Sequence, residues 1–196
     1  MKYYSTNHNA PEVSLQEAVI KGLAPDKGLY MPKSINHLSK EFIDNIGSMN
    51  LTEIGKTVAN AFFGEDIPEE DLSTIVSETL NFAIPLKKVE EGIYVLELFH
   101  GPTFAFKDVG ARFMARLLSY FVKKQHQENI KVLVATSGDT GSAVANGFLG
   151  VEGIQVIVLY PSGKVSNIQE SQFTTLGQNI TALEIDGTFD DCQRLV

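Results

Sequence analysis

Residues 97–113 read Glu97 Leu98 Phe99 His100 Gly101 Pro102 Thr103 Phe104 Ala105 Phe106 Lys107 Asp108 Val109 Gly110 Ala111 Arg112 Phe113, and the character of the chain changes across them. Upstream the apolar spacing is largely helical; downstream, strand-like and helix-like runs alternate. Within the stretch an extended run ends at a Gly101-Pro102 turn, and Lys107 follows between Phe104, Ala105, Phe106 and the start of an amphipathic helix. A lysine ordinarily keeps its ammonium in water. One set among aromatic residues at an element junction is a candidate for an amine of depressed pKa, able to form a Schiff base with the carbonyl of a substrate or of an aldehyde cofactor such as pyridoxal phosphate. Spacing also allows a plainer role, a lysine whose stem covers apolar surface while its head reaches solvent.

Working outward toward the C-terminus, the spacing predicts a helix over 108–125 with Phe113, Met114, Leu117, Leu118 and Phe121 along one face. A strand over 131–135, a helix over 140–149, a strand over 154–159, a helix over 165–176 and a strand over 181–185 follow. Ile93 Tyr94 Val95 Leu96 Glu97 Leu98 reads as the strand that opens this alternation. Continuously apolar strands separated by crossover helices imply an α/β domain, an open and mostly parallel sheet with helices on both faces.

Toward the N-terminus, Ser14 and Glu17 predict a capping box, Val19 and Ile20 an apolar helix face, and Gly22 its end. Residues 24–32 read as a turn and a short extended segment. Further helices are predicted after Ser39 (Phe42, Ile43, Ile46), after Thr52 (Ile54, Val58, Ala61, Phe62, up to Gly64) and after Pro68 (Leu72, Ile75, Val76, Leu80). The boundary between a helical N-terminal portion, 1–82, and the α/β portion, 83–196, is placed near residue 82. Thr188 with Asp191 reads as a helix start, yet the sequence stops at Val196, about two turns later. The expectation is a truncated chain, with more sheet beyond it.

Composition excludes several classes. Sixteen basic against 24 acidic residues give a net charge of −8, which argues against nucleic acid and against a polybasic membrane partner. Apolar and charged fractions of 43% and 20% are those of a globular protein. The single cysteine, Cys192, forms no internal disulfide and no thiolate cluster, so a reducing, cytoplasmic setting and a small core role are expected. No apolar run approaches a transmembrane length, and the N-terminus lacks a signal-peptide hydrophobic region. His8, His37, His100 and His126 have no paired ligand spacing, so no metal site is expected. The acidic run Glu65, Asp66, Glu69, Glu70, Asp71 reads as a solvated helix start.

A second stretch, Ala135 Thr136 Ser137 Gly138 Asp139 Thr140 Gly141 Ser142 Ala143, leaves a buried strand and opens a helix. Amides at such a helix start favour an anion, a phosphate or a carboxylate, and Gly138 and Gly141 allow close backbone approach. The plainer alternative is a strand-to-helix turn in which Ser137 or Asp139 caps the helix. Neither the Walker spacing nor G-x-G-x-x-G is present, and Ser137 lacks the G-x-S-x-G elbow. With a right-handed crossover, Lys107 and this turn fall on the same sheet edge, as the parts of one site would.

At these residues the sequence resembles the threonine synthases, of the pyridoxal-phosphate fold-type II group. The likeness spans all 196 residues. Its carriers are residues 97–103 with Ala105 Phe106 Lys107 Asp108, then Tyr4 Ser5 Thr6 Asn7, Gly22 Leu23 Ala24 Pro25 Asp26 with Gly28 Leu29 Tyr30 Met31 Pro32, and Tyr160 Pro161 Ser162 Gly163 Lys164 Val165 Ser166. The resemblance implies a lyase converting O-phospho-L-homoserine and water to L-threonine and phosphate with pyridoxal 5'-phosphate. It makes Lys107 the catalytic, cofactor-bearing lysine, with Phe106 and Asp139 at the cofactor. Ser137, Gly138, Thr140 and Gly141 then hold the substrate carboxylate, and Lys164 is either a phosphate ligand or a surface lysine. Related fold-type II enzymes commonly carry Asn where Asp139 stands, which favours a threonine synthase over a dehydratase or a cysteine synthase. The family's loop for the cofactor phosphate and its partner for the ring nitrogen lie further along such chains, so residues 1–196 alone are expected to be inactive. A phospholyase or dehydratase of the same group, and a non-catalytic binding module, are the alternatives. The resemblance leaves monomer and homodimer both open.

Overall fold

A buried serine near the N-terminus organises the first of two units, Met1–Asn81 and Phe82–Val196, in a computed structural model that describes residues 1–126 and 129–196. Strand β1 (Lys2–Ser5) runs antiparallel between β2 (Val13–Ser14) and, beyond helix α1 (Leu15–Lys21), β3 (Tyr30–Pro32). The first portion is largely helical as read, and its β3 is the expected short extended segment, but the other two strands of this small sheet were not expected. Its strands are only two to four residues long, too short for a period of two to show in the sequence.

Ser5 Oγ donates to Asp26 Oδ1 at 2.6 Å, while the amides of Gly28 and Asn9 donate to the same carboxylate at 3.0 and 2.9 Å. The Ser5 hydrogen bond, with those amides, holds the Asp26 carboxyl below its ordinary range. Asn7 Nδ2 donates to the Asp26 carbonyl at 2.9 Å, and Leu29 N–H to Thr6 Oγ1 at 2.9 Å. A Cβ at Gly28 would overlap the Ser5 hydroxyl. Residues 4–7 and 24–32, distant in sequence, are thus one hydrogen-bonded piece.

Ser14 caps α1 by accepting from Glu17 N–H at 3.2 Å, but Glu17 turns forward to Lys21 (2.6 Å) instead of completing a capping box. Leu15 and Ala18 are its buried residues, and Val19 and Ile20 are half-buried. Ser39 caps α2 (Lys40–Asn45), α3 (Leu51–Phe63) follows, and Pro68 precedes α4 (Glu69–Thr79). The box that starts α3 is Asn50 with Glu53, two residues ahead of the expected Thr52.

The second unit opens with an antiparallel hairpin, β4 (Leu86–Glu90) and β5 (Ile93–Leu96). The expectation that Ile93 begins the parallel alternation is therefore wrong. The run is a strand, but a Glu91-Gly92 turn with Gly92 at φ 76 folds it onto its immediate predecessor. Helix α5 (Lys107–Lys124) follows, then β6 (Ile130–Ala135), α6 (Asp139–Phe148), β7 (Ile154–Pro161), α7 (Asn167–Thr174), β8 (Ile180–Ile185) and α8 (Phe189–Leu195).

Strands β6, β7 and β8 are parallel in that order, with Val132, Val156 and Ile180 in register. Val158, Leu159, Tyr160 and Pro161 are consecutive and all buried, so helices cover this end of β7 on both faces. Helix α5 packs on α6 where Gly147 meets the Ala111 backbone, and Arg116 Nη1 donates to the Gly147 carbonyl at 2.8 Å. Phe173 of α7 is buried edge-on to Tyr160, with centroids 5.1 Å apart. Helix α8, started by a Thr188–Asp191 capping box, packs back across β7 and β6 and buries Cys192, whose thiol that burial pushes up. Among the described residues no helix is long and apolar enough to cross a membrane.

The Asp26 cluster yields a pH test. Because the folded-state pKa is depressed, its stabilisation is present above the ordinary aspartate value of about 4 and fades as pH falls through the lower folded value. D26N is expected to lower the thermal midpoint at pH 7, and the gap from the unsubstituted protein should close below about pH 4 in calorimetric scans.

Candidate active site

Lys107 is the first residue of α5, half-buried, with its Nζ 5.1 Å from the Phe106 ring centroid. No side chain at Phe106 caps the helix. The turn before it is held instead from within: the Asp108 carboxylate, 1% exposed, accepts from Thr103 N–H at 2.9 Å and from Thr103 Oγ1 at 2.5 Å. A Cβ on Gly101 would lie 2.5 Å from Asp108 Oδ2, so the approach of this carboxylate requires glycine there. Between these anchors Phe104 sits at φ 58, a left-handed conformation that costs an aromatic residue about 1 kcal/mol, and the residue is 76% exposed. Phe106 is exposed as well.

The second turn sits at the carboxyl end of β6. Thr136 Oγ1 accepts from the amides of Gly138 (3.0 Å) and Gly141 (2.8 Å) and donates to the Gly138 carbonyl (3.0 Å), all out of solvent. Neither Ser137 nor Asp139 caps α6, so the simple capping alternative does not hold. The glycines here have internal reasons. Gly138 is at φ 150 with the Gln169 side chain 2.8 Å from where a Cβ would stand, and a Cβ on Gly141 would overlap Thr136. With those two amides taken, the N–H groups of Ser137, Asp139 and Thr140 are the ones without an acceptor among the described residues. All three residues are exposed. That set of outward donors at a helix start suits an anionic group.

Lys164, exposed, lies in the turn after β7, at the same sheet edge. Bonds from α7 tie the two turns together: Gln169 Nε2 donates to Asp139 Oδ1 at 2.5 Å, and Gln172 Nε2 to the Thr103 carbonyl at 3.4 Å. The sequence reading singled out neither glutamine, nor Thr103, Thr136 and Asp108 for these roles. The only local signal was a Thr two residues ahead of a glycine at a strand end, a pattern for a side chain bonding its own backbone.

Residues 74–196 match the family model described as Pyridoxal-phosphate dependent enzyme. The chain belongs to that family. Residues 2–80 match a second model, Threonine synthase N terminus. Along its whole length the chain is 44% identical to a threonine synthase of Haemophilus influenzae and 42% identical to that of Escherichia coli, covering 45% of each. It therefore spans about half the length of the curated relatives it matches. Among solved structures it superposes on a pyridoxal-phosphate-bound threonine synthase from Brucella melitensis with a TM-score of 0.91 at 38% identity, covering all of this chain and 43% of that one. For the Escherichia coli threonine synthase the score is 0.89. The fold is that of the fold-type II members of the pyridoxal-phosphate dependent family.

The residues present fit such a cofactor. A half-buried primary amine suits its aldehyde, and an exposed aromatic ring beside that amine suits the flat pyridine ring.

Two substitutions test the turns. T136V keeps the shape and removes the acceptor of two buried amides, so urea unfolding should show a loss of about 1–3 kcal/mol per orphaned donor. D108A orphans the Thr103 amide and hydroxyl and is expected to cost a similar amount, whereas V109A, one residue on, should cost less.

Proposed function

We propose that the chain carries the cofactor lysine and the substrate-carboxylate turn of a threonine synthase, which converts O-phospho-L-homoserine and water to L-threonine and inorganic phosphate. The observation that carries this is Lys107, at the start of α5 on a turn locked by the buried Asp108–Thr103 pair, in a chain similar from end to end to threonine synthases. Residues 1–82 are the family's N-terminal portion and 83–196 part of its cofactor-binding α/β domain.

Pyridoxal phosphate, when bound, supplies an electron sink for the negative charge developed on substrate carbon. Lys107 Nζ would hold the cofactor and, as a free amine, would take and return protons at the substrate carbons as base and then acid. Phe106 supplies an apolar wall at that amine, and Asp139 a negatively charged neighbour for the cofactor. The amides of Ser137, Asp139 and Thr140 receive the substrate carboxylate; Gly138 and Gly141 shape the turn that presents them. This orients the bonds to be broken, and orientation of a bound reactant is worth orders of magnitude in rate. Lys164 Nζ, free of a described ion-pair partner, meets the phosphate that leaves. A cytoplasmic setting accords with an acidic chain whose one cysteine is buried. Neither nucleic acid nor a membrane is a partner on this proposal.

The full-length gene product, incubated with pyridoxal phosphate, is expected to develop a visible absorbance band that K107A abolishes, and to release phosphate and threonine from O-phospho-L-homoserine. Release of a keto acid in place of threonine would instead favour a phospholyase or dehydratase, and absence of the band in the unsubstituted protein a binding module. K164A should raise KM for phosphohomoserine several-fold with a smaller effect on kcat.

A further inference from the structure

Two glutamines one helical turn apart on α7 reach two different turns. Gln169 Nε2 donates to Asp139 Oδ1 at 2.5 Å, and its own Oε1 accepts from Ser166 Oγ at 2.8 Å. Its main chain is near α6 too, since the fully buried Ser142 hydroxyl lies 3.3 Å from both the Gln169 and the Gly138 carbonyls and shares its one proton between them. Gln172 Nε2 meets the Thr103 carbonyl at 3.4 Å, and Thr103 is the residue that Asp108 grips beside Lys107. A continuous hydrogen-bonded path therefore runs from Asp139 through Gln169, the α7 backbone, Gln172 and Thr103 to Asp108.

We propose that Gln169 is a positioning residue for the reaction, with Gln172 as its counterpart: α7 braces the lysine turn and the anion-binding turn at a fixed spacing, Gln169 by aiming the Asp139 carboxylate. The inference rests on the threonine synthase assignment of the site. Three observations separate it from ordinary surface bonding. The Gln169 amide is polarised at both ends, so only an amide in one flip satisfies Ser166 and Asp139 together. That amide packs against Gly138, with its atoms 2.8 Å from where a Cβ would stand, and Gly138 is the residue whose φ of 150, a conformation suited to glycine, sends the chain from β6 into α6. And the carboxylate it holds, on an exposed residue, would otherwise sample its rotamers freely. Holding it restricts the outward N–H of Asp139 and its neighbours to one arrangement, which is what placement of a reactant to a fraction of an ångström demands.

Q169E preserves volume and packing but replaces the donor to Asp139 by a second acceptor. In the full-length gene product loaded with pyridoxal phosphate, Q169E is expected to lower kcat about 10- to 100-fold with a smaller change in KM. In the same protein without cofactor, amide exchange at Gly138 and Gly141 should accelerate several-fold while the β6 to β8 amides keep their rates. A purely space-filling role predicts none of this for an isosteric change, so unaltered kcat and unaltered exchange would overturn the inference. Should Q169E fail to fold, S166A, which frees the far end of the Gln169 amide, is the milder test: a several-fold loss of kcat supports the brace, and full activity overturns it. If the unsubstituted protein shows neither a Lys107-dependent band nor turnover, it is the threonine synthase assignment that falls; an active parent with an equally active Q169E removes the brace alone.

Discussion

The oxygen of one buried threonine side chain holds the corner on which the functional edge of the parallel sheet depends. Where β6 ends, the chain must reverse into α6 within three residues, and a helix start leaves its first amides without internal partners. Thr136 Oγ1 takes two of them, from Gly138 and Gly141, and returns its own proton to the Gly138 carbonyl. The arrangement sorts the donors of the turn. Two point inward to a hydroxyl that water does not reach, and the intervening ones are left facing out, where a carboxylate can approach them.

The lysine turn solves the same problem with a charge. Asp108, second residue of its helix and buried, faces backward to bind the amide and hydroxyl of Thr103, so the peptide from Gly101 to Phe106 is looped over its carboxylate. A carboxylate out of water is tolerable only where it is hydrogen-bonded, and here the bonds also serve a placement: Lys107 is anchored on both sides in sequence while its own side chain stays half-open. The left-handed Phe104 between the anchors shows that the loop is drawn tight, its strain held by the bonds around it.

Much of this was legible beforehand, and where it was not the reason is specific. The strand at 154–161 was visible because a parallel strand covered on both faces is continuously apolar, those at 130–135 and 180–185 because short runs rich in strand formers lie between helical patterns, and Ser14, Ser39 and Thr188 as caps because a side-chain oxygen three residues ahead of a partner amide is a local pattern. The hairpin at 86–96 was misread, since strand-forming side chains announce a strand without naming its partner. Strand β1 was missed because its pairing with residues 13–14 and 30–32 is non-local, and so was the joining of Ser5 to Asp26 across 21 positions.

Legible in the order of residues alone were the succession of elements from the helix at Lys107 onward, the turns at the helix starts and the residue types able to do chemistry at them, Lys107 and 137–141 above all, because these follow from backbone propensity, side-chain periodicity and the unmet amides of helix ends, which are local. Only the tertiary structure decided which donors face outward, which carboxylate turns inward, and that Gln169 and Gln172 span the interval between the two turns. The first two turn on which of several nearby partners a side chain takes, a choice that residue type leaves open; the last depends on contacts between residues 30 and 69 positions apart, and a hydrogen bond across such a gap leaves no periodic trace in the chain that makes it.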